Sequence, residues 1–311
     1  MPRGIKVAAP ATISNINCGF DALGLAINYT CDEIVGRLVD KPGIHLNLVG
    51  ANARSTPSDP TKNTVTVAIS NFLDALEESE SLGIELKVKK MISPGSGLGS
   101  SAAGACAGVM LVNELLGRPM EKRHLLPFAI QGEYVADKSW HADNVAPCLL
   151  GGAILIREVK PLDIHRLYTP RGLYVTAVTP QIRILTKEAR EVLSERVDFK
   201  SAVKQAANLG SFVHAMHTSD FDLLSRSLED HLVEEQRAHL LPGFYDAKSA
   251  AMKTGALGCG ISGSGPTIFV LSNNENSARD SAAAITKVYA DKGIESTSVV
   301  SEVNQAGTVL C

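Results

Sequence analysis

Short apolar or alternating runs dominate the first fifty residues. Segments 5–9, 23–29, 33–39 and 44–49 are separated by Gly, Pro, Asn and Asp, and each predicts a strand. The period then changes: Val65, Ile69, Phe72 and Leu76 share one face, which predicts a helix over 63–78. Segment 84–90 alternates apolar and charged side chains, as a half-buried strand does. A helix over 100–116 has no polar face until Asn113 and Glu114, so it belongs in the interior, and Gly117 and Pro119 stop it. A third helix over 121–138 gives way to a loop through Pro147, after which 152–159 returns as a strand.

Beyond Lys160-Pro161 the pattern becomes mainly helical. Strand 173–178 precedes helices at 186–195, 199–217, 221–235 and 245–254, then strand 267–271, helix 277–292 and strand 295–300. Two α+β units are therefore expected, divided as 1–162 and 163–311. The 311-residue length agrees, being long for one core.

Composition narrows the class. Apolar residues make up 45% and charged residues 20%, the balance of a globular protein in water. A net charge of −3 gives no overall electrostatic reason to expect a nucleic-acid partner. No run approaches the roughly 20 apolar residues of a membrane span. The segment from Met1 to Lys6 lacks the apolar centre of a signal peptide, so the expected location is cytoplasmic. Cys18, Cys31, Cys106, Cys148, Cys259 and Cys311 show no metal-ligand spacing and are expected as reduced thiols.

The candidate chemistry lies in glycines. In Pro94-Gly95-Ser96-Gly97-Leu98-Gly99-Ser100-Ser101-Ala102-Ala103, three alternating glycines permit positive φ, so successive N–H groups can face one concavity. The helix predicted from Ser100 adds its unpaired N–H groups and dipole, which favour a phosphate. Ser100 and Ser101 are expected to add hydroxyls at the same place. The segment lacks the Gly-Lys-Ser/Thr ending of a P-loop and the glycine spacing of a dinucleotide fold. A second run, Gly258-Cys259-Gly260-Ile261-Ser262-Gly263, matches the dinucleotide spacing. A helix precedes it and a strand follows, the reverse of what that fold requires, so 260–267 is expected as a tight loop against another site.

Three segments in this order resemble the three motifs of the GHMP kinase superfamily. Pro94–Ala103 is similar to its phosphate-binding motif, Ala9-Pro10-Ala11-Thr12-Ile13-Ser14-Asn15 through Gly24 to its first, and Gly258 to Phe269 to its third. Gly19-Phe20-Asp21, His141-Ala142-Asp143-Asn144-Val145-Ala146-Pro147, Thr186-Lys187-Glu188-Ala189-Arg190 and the run from Arg237 to Phe244 resemble the branch whose acceptor is L-homoserine. The implied fold is a ribosomal-protein-S5-domain-2-like N-terminal unit followed by a ferredoxin-like C-terminal sandwich. The implied activity is transfer of phosphate from ATP to a small-molecule alcohol, with Mg²⁺ as cofactor and a homodimer as a plausible assembly. Another alcohol (mevalonate, a sugar or a shikimate-type acceptor) is the alternative.

Roles carry over from that resemblance residue by residue. Pro94, Gly95, Ser96, Gly97, Leu98, Gly99, Ser100, Ser101, Ala102 and Ala103 would wrap ATP, and Asn63 would reach its adenine. Ser101 and Glu133 would hold Mg²⁺, as hard oxygen donors suit this ion. Arg190 and Arg237 would take the acceptor's carboxylate, and Asp21 and Asn15 its ammonium group, with His141 orienting it. Asn144 occupies the position where related kinases carry an Asp; an amide cannot take up the proton, so the expectation is direct in-line attack with Asn144 holding the hydroxyl. Taken singly, Glu133 and Arg190 are ordinary helix-surface charges and His141 an ordinary loop or core histidine; the motifs alone give them roles.

Overall fold

The computed structural model describes residues 4–79, 81–137 and 140–311. The chain opens with β1 (Ile5–Ser14), β2 (Leu23–Val39), β3 (Gly43–Val49), α1 (Thr64–Ala75) and β4 (Gly83–Lys89). It continues through α2 (Ser100–Leu115), α3 (Leu126–Asp137), α4 (Val145–Leu150), β5 (Ala153–Val159) and β6 (Leu162–Leu167). Next come β7 (Tyr174–Pro180), α5 (Thr186–Glu191), α6 (Phe199–Thr218), α7 (Phe221–Ser227), α8 (Glu234–Ala238) and α9 (Phe244–Met252). The chain ends in β8 (Gly258–Ile261), β9 (Ile268–Ser272), α10 (Glu275–Asp291), β10 (Ser296–Glu302) and β11 (Val309–Leu310).

The first sheet has the order β11-β1-β2-β4-β3, with the β5–β6 hairpin also joined to β2. The two strands expected at 23–29 and 33–39 are one. Pro10 pairs with Cys31 while Ala11 pairs with Ile27, so residues 28–30 bulge out and the long β2 bends without breaking. In β4, Ile84, Leu86 and Val88 point inward and Glu85, Lys87 and Lys89 outward, the alternation of a half-covered sheet.

The core explains why α2 is apolar all round. It lies on β1 and β2 and is flanked by α1, α3 and α4. Glycines let α1 approach: a Cβ at Gly108 would sit 3.0 Å from Val65 and one at Gly104 3.1 Å from it.

The second sheet, β10-β7-β9-β8, is antiparallel throughout, with α10 and α9 packed on it. This is the expected ferredoxin-like order. Apolar contact is continuous between the units, since Leu173, Val175 and Phe269 join the core of the first sheet.

Several elements differ from expectation. The loop through Pro147 is α4; proline in a first helical turn forfeits no hydrogen bond. The helix expected over 221–235 breaks after Ser227, where Asp230 accepts from the N–H groups of Leu232, Val233 and Glu234. Strands β6, β8 and β11 were not foreseen, being short and flanked by glycine or proline. β6 and β11 both lie in the first sheet, so chain on either side of 162–163 builds it. The third helix starts at Leu126 after a 3₁₀ turn, and its expected end at Lys138 lies outside the described residues.

Candidate active site

A cavity of about 330 Å³ lies where the two units meet. It is lined by the turn after β1, the 94–101 loop, α3, the 141–144 loop, α5, α8 and the 263–264 turn. One end is made of backbone and the other of charged side chains.

The backbone end is the glycine loop. Gly95, Gly97 and Gly99 have φ of 73°, 80° and 67°, the left-handed region that their alternation predicts. The unspecified site against which 260–267 is expected to pack is this same loop. Ser262 Oγ donates to the Gly97 carbonyl at 2.6 Å, and Thr267 donates to the Ser96 carbonyl from Oγ1 at 2.6 Å and from its N–H at 3.2 Å. A Cβ on Gly97 would lie 2.5 Å from the Ser262 carbonyl oxygen. Two carbonyls that would repel a phosphate are thereby anchored away from it.

Placement of the other loop residues corrects part of the expectation. Pro94, Gly95, Ser96, Gly97, Gly99, Ser100 and Ser101 line the cavity, whereas Leu98, Ala102 and Ala103 are packed in the core beneath it. The Ser100 hydroxyl turns inward and donates to the Ile92 carbonyl at 2.8 Å, so only Ser101 offers its hydroxyl. Ser101 Oγ donates to Glu133 Oε1 at 2.6 Å. Asn63 does not line the cavity. It caps α1, accepting from the Val65 N–H and donating to the Pro57 carbonyl, and Pro57 is the lining residue.

Lys90 was overlooked, although its parity signalled it. It continues the inward series Ile84, Leu86, Val88, and a lysine at such a position needs a partner. Buried Asp32 supplies one, itself held by the N–H groups of Met91 and Ile92, and Lys90 Nζ also donates to the Ser100 carbonyl at 2.6 Å. Lys90 reaches the cavity wall from beneath the helix start.

The charged end gathers distant residues. Arg190 donates to both carboxylate oxygens of Asp21, at 3.2 and 3.1 Å, and its Nη2 lies 2.5 Å from His141 Nε2. Arg237 is buried; it donates to the Ala189 and Gly263 carbonyls and lies over the Phe20 ring. Burial, reinforced by the Arg190 charge, lowers its pKa to about 10, still cationic at neutral pH. Asp143 is buried in the wall, and burial followed by the Asp21 charge raises its pKa to about 6.

Asn15 reaches the cavity, but its amide holds the backbone: Nδ2 donates to the Gly263 carbonyl and Oδ1 accepts from the Asp21 N–H. Asn15, Ile16, Asn17 and Asp21 all have φ between 45° and 71°, a concentration of unfavourable backbone that marks a constrained site. Asn144 is pinned between two hydroxyls, accepting from Thr12 at 2.7 Å and donating to Ser14 at 3.0 Å.

Comparison with known proteins bears on this arrangement. A family model described as GHMP kinases N terminal domain matches residues 63–152, and one described as GHMP kinases C terminal matches 212–291. A homoserine kinase of Chlorobium phaeobacteroides is 42% identical over 278 residues, 87% of each chain. One from Chloroherpeton thalassium is 40% identical over 291 residues, 90% of this chain and 91% of that one. The crystal structure of homoserine kinase from Cytophaga hutchinsonii superposes with a TM-score of 0.96 at 45% identity, covering 100% of this chain and 98% of that one. With both halves of the family matched and its three motifs converging on one cavity, the chain belongs to the GHMP kinases, an ATP-dependent family acting on alcohols, and within it to the homoserine kinase group.

Proposed function

We propose that the protein transfers the γ-phosphoryl group of ATP to the side-chain hydroxyl of L-homoserine, giving ADP and O-phospho-L-homoserine. The observation that carries this reading is the division of one cavity into a backbone-lined end and an end with two guanidiniums and two carboxylates. The first suits a polyphosphate. The second suits a zwitterion, whose carboxylate takes Arg190 and Arg237 and whose ammonium takes Asp21 and Asp143, with His141 steering Arg190. Asp21 and Arg190 pair with each other, so a zwitterion enters by exchanging like for like, at less desolvation cost than separating bare charges. A neutral sugar offers these groups no charge to pair and so gives no reason for two guanidiniums to converge.

At the phosphate end the Ser101 hydroxyl and the Glu133 carboxylate sit side by side, a donor pair that fits Mg²⁺. Bound there, the ion would neutralise phosphate charge. Lys90 adds a second positive charge below the loop. The acceptor oxygen attacks the γ-phosphorus as the bond to the bridging oxygen of ADP breaks, and the hydroxyl proton passes to a phosphoryl oxygen because the Asn144 amide accepts none. ATP as donor fits a cytoplasmic enzyme, and among the described residues no helix is long and apolar enough to cross a membrane. Assembly as a homodimer is part of the same proposal.

The test is a coupled ADP-release assay with ATP and Mg²⁺, offering L-homoserine, mevalonate, galactose or shikimate. Turnover with homoserine alone is the expected outcome. Turnover only with another alcohol overturns the substrate, and an Asn144→Asp variant that works faster with a new acidic limb overturns base-free transfer.

A further inference from the structure

We propose that Phe20 is a positioning residue whose ring keeps the Arg190 and Arg237 guanidiniums together for the acceptor's carboxylate by attracting both cations to one π system. The proposal rests on the phosphotransfer reading above and deepens it.

Two guanidiniums that converge on one anion repel each other while the anion is absent. After burial, the Arg190 charge is the chief cause that lowers the Arg237 pKa. Arg190 has a counterion in Asp21, whose two carboxylate oxygens accept from its Nη1 and Nη2. Arg237 is buried more deeply and donates to the neutral carbonyls of Ala189 and Gly263; among the described residues no carboxylate pairs with it. The group both arginines share is the Phe20 ring. Arg237 Cζ lies 5.0 Å from the ring centroid and Arg190 Cζ 5.6 Å. Both fall inside the roughly 6 Å over which the ring quadrupole attracts a cation.

A ring suits this place better than an acid. A carboxylate between the arginines would occupy their N–H groups and compete with the carboxylate of the substrate. An aromatic face attracts the charge and leaves the donor edges of a guanidinium to the ligand.

The chain also fixes where the ring stands. Phe20 is half-buried and precedes Asp21, which has a φ of 56°. Asn15 Oδ1 accepts from the Asp21 N–H at 3.0 Å, and Asn15 Nδ2 donates to the Gly263 carbonyl at 3.0 Å. The same Gly263 oxygen receives Arg237 Nη1 at 2.9 Å. The turn that carries the ring and the guanidinium beneath it are thus tied to one atom. On the reading above, the acceptor's ammonium draws on Asp21 as its carboxylate draws on Arg190. The ring is the contact that persists through this exchange.

The experiment replaces Phe20 in the full chain with mono-, di- and trifluorinated phenylalanine. Fluorine withdraws π density from the ring, barely changes its shape and makes it more apolar. Lost cation attraction raises the KM for L-homoserine, whereas a ring that only packs leaves it level or lowers it. The expected result is a stepwise rise reaching about 10-fold in the trifluoro protein, with the ATP KM within about 2-fold of wild type. A flat or falling homoserine KM along the series, or an ATP KM that climbs with it, overturns the proposal. Phe20→Leu should raise the homoserine KM at least as far, and a wild-type value there is equally fatal; should that variant not fold, the fluorinated series decides alone. A second readout is independent of turnover. In protein labelled with ¹⁵N-arginine, the Nε signals of Arg190 and Arg237, assigned by their loss in Arg190→Lys and Arg237→Lys, should show lower order parameters in the trifluoro protein than in wild type. If the wild-type protein turns over no homoserine, the functional reading fails while this measurement still decides what the ring does; unchanged order at either arginine overturns it.

Discussion

The two ends of the cavity are built by opposite strategies. The phosphate end is contiguous chain, in which three left-handed glycines and a helix start supply N–H groups, and hydroxyls from one distant loop, Ser262 and Thr267, hold the carbonyls back. The acceptor end has almost no local logic. Asp21, His141, Asp143, Arg190 and Arg237 come from four separated stretches and meet only in the folded protein. A backbone cradle accepts any polyphosphate of the right size, whereas convergent side chains match one pattern of charge. On the proposed reading, the shared part of the substrate pair goes to the part of the chain with least side-chain identity.

Several measurements would sharpen or break that contrast. The largest effect belongs to Glu133→Gln, since among the described residues this carboxylate is the one acidic side chain at the phosphate end of the cavity; kcat should fall by about 10²- to 10³-fold in steady-state assays. Gly97→Ala comes next. Its Cβ would lie 2.5 Å from the Ser262 oxygen at a φ of 80°, so the ATP KM should rise about 10-fold or more while the homoserine KM stays put. An equal rise in both would mean that the two ends are not separately built.

Asp143→Asn probes the charged end through stability. Burial raises the pKa of this carboxyl from 3.8 to about 6, so the native state binds more protons than the unfolded state between those values. Stability is highest below the unfolded pKa and declines as pH rises through about 6. The variant should therefore gain over wild type at pH 7.5, by at most on the order of 3 kcal/mol, and the gain should vanish near pH 4 in denaturant titrations. The smallest effect is Ser100→Ala, which removes one buried hydrogen bond to Ile92. It should cost about 1 kcal/mol in stability and leave the ATP KM unchanged, in contrast to its neighbour Ser101.

The same contrast decides what was legible in the sequence. The glycine loop, its helix and the packing of 260–267 as a tight loop against another site could be read because each is a local pattern with a local physical reason. The acceptor residues were legible only through motif resemblance, since neither Arg190 nor His141 carries a sign of its partner in its neighbourhood. Asn15 and Asn63 were assigned to ligands, yet both use their amides on backbone. Asparagine serves a turn or helix cap as readily as a ligand, and only the fold decides between them. Lys90 was the opposite case: strand parity placed it inward, but its partner Asp32 lies in a different strand and the pairing is not visible along the chain. Strand β11 is two residues long and carries no periodicity at all.

That short strand bears on how the protein comes into being during synthesis. Val309 and Leu310 complete the edge beside β1, Thr308 bonds the Leu149 and Cys148 carbonyls, and Asn304 bonds Ala26. A growing chain that has already made the glycine loop, Glu133 and Asn144 still lacks this lacing. Its first sheet waits on the ribosome with an open edge until residues 304–310 emerge, so the half of the enzyme translated first is among the last to be finished.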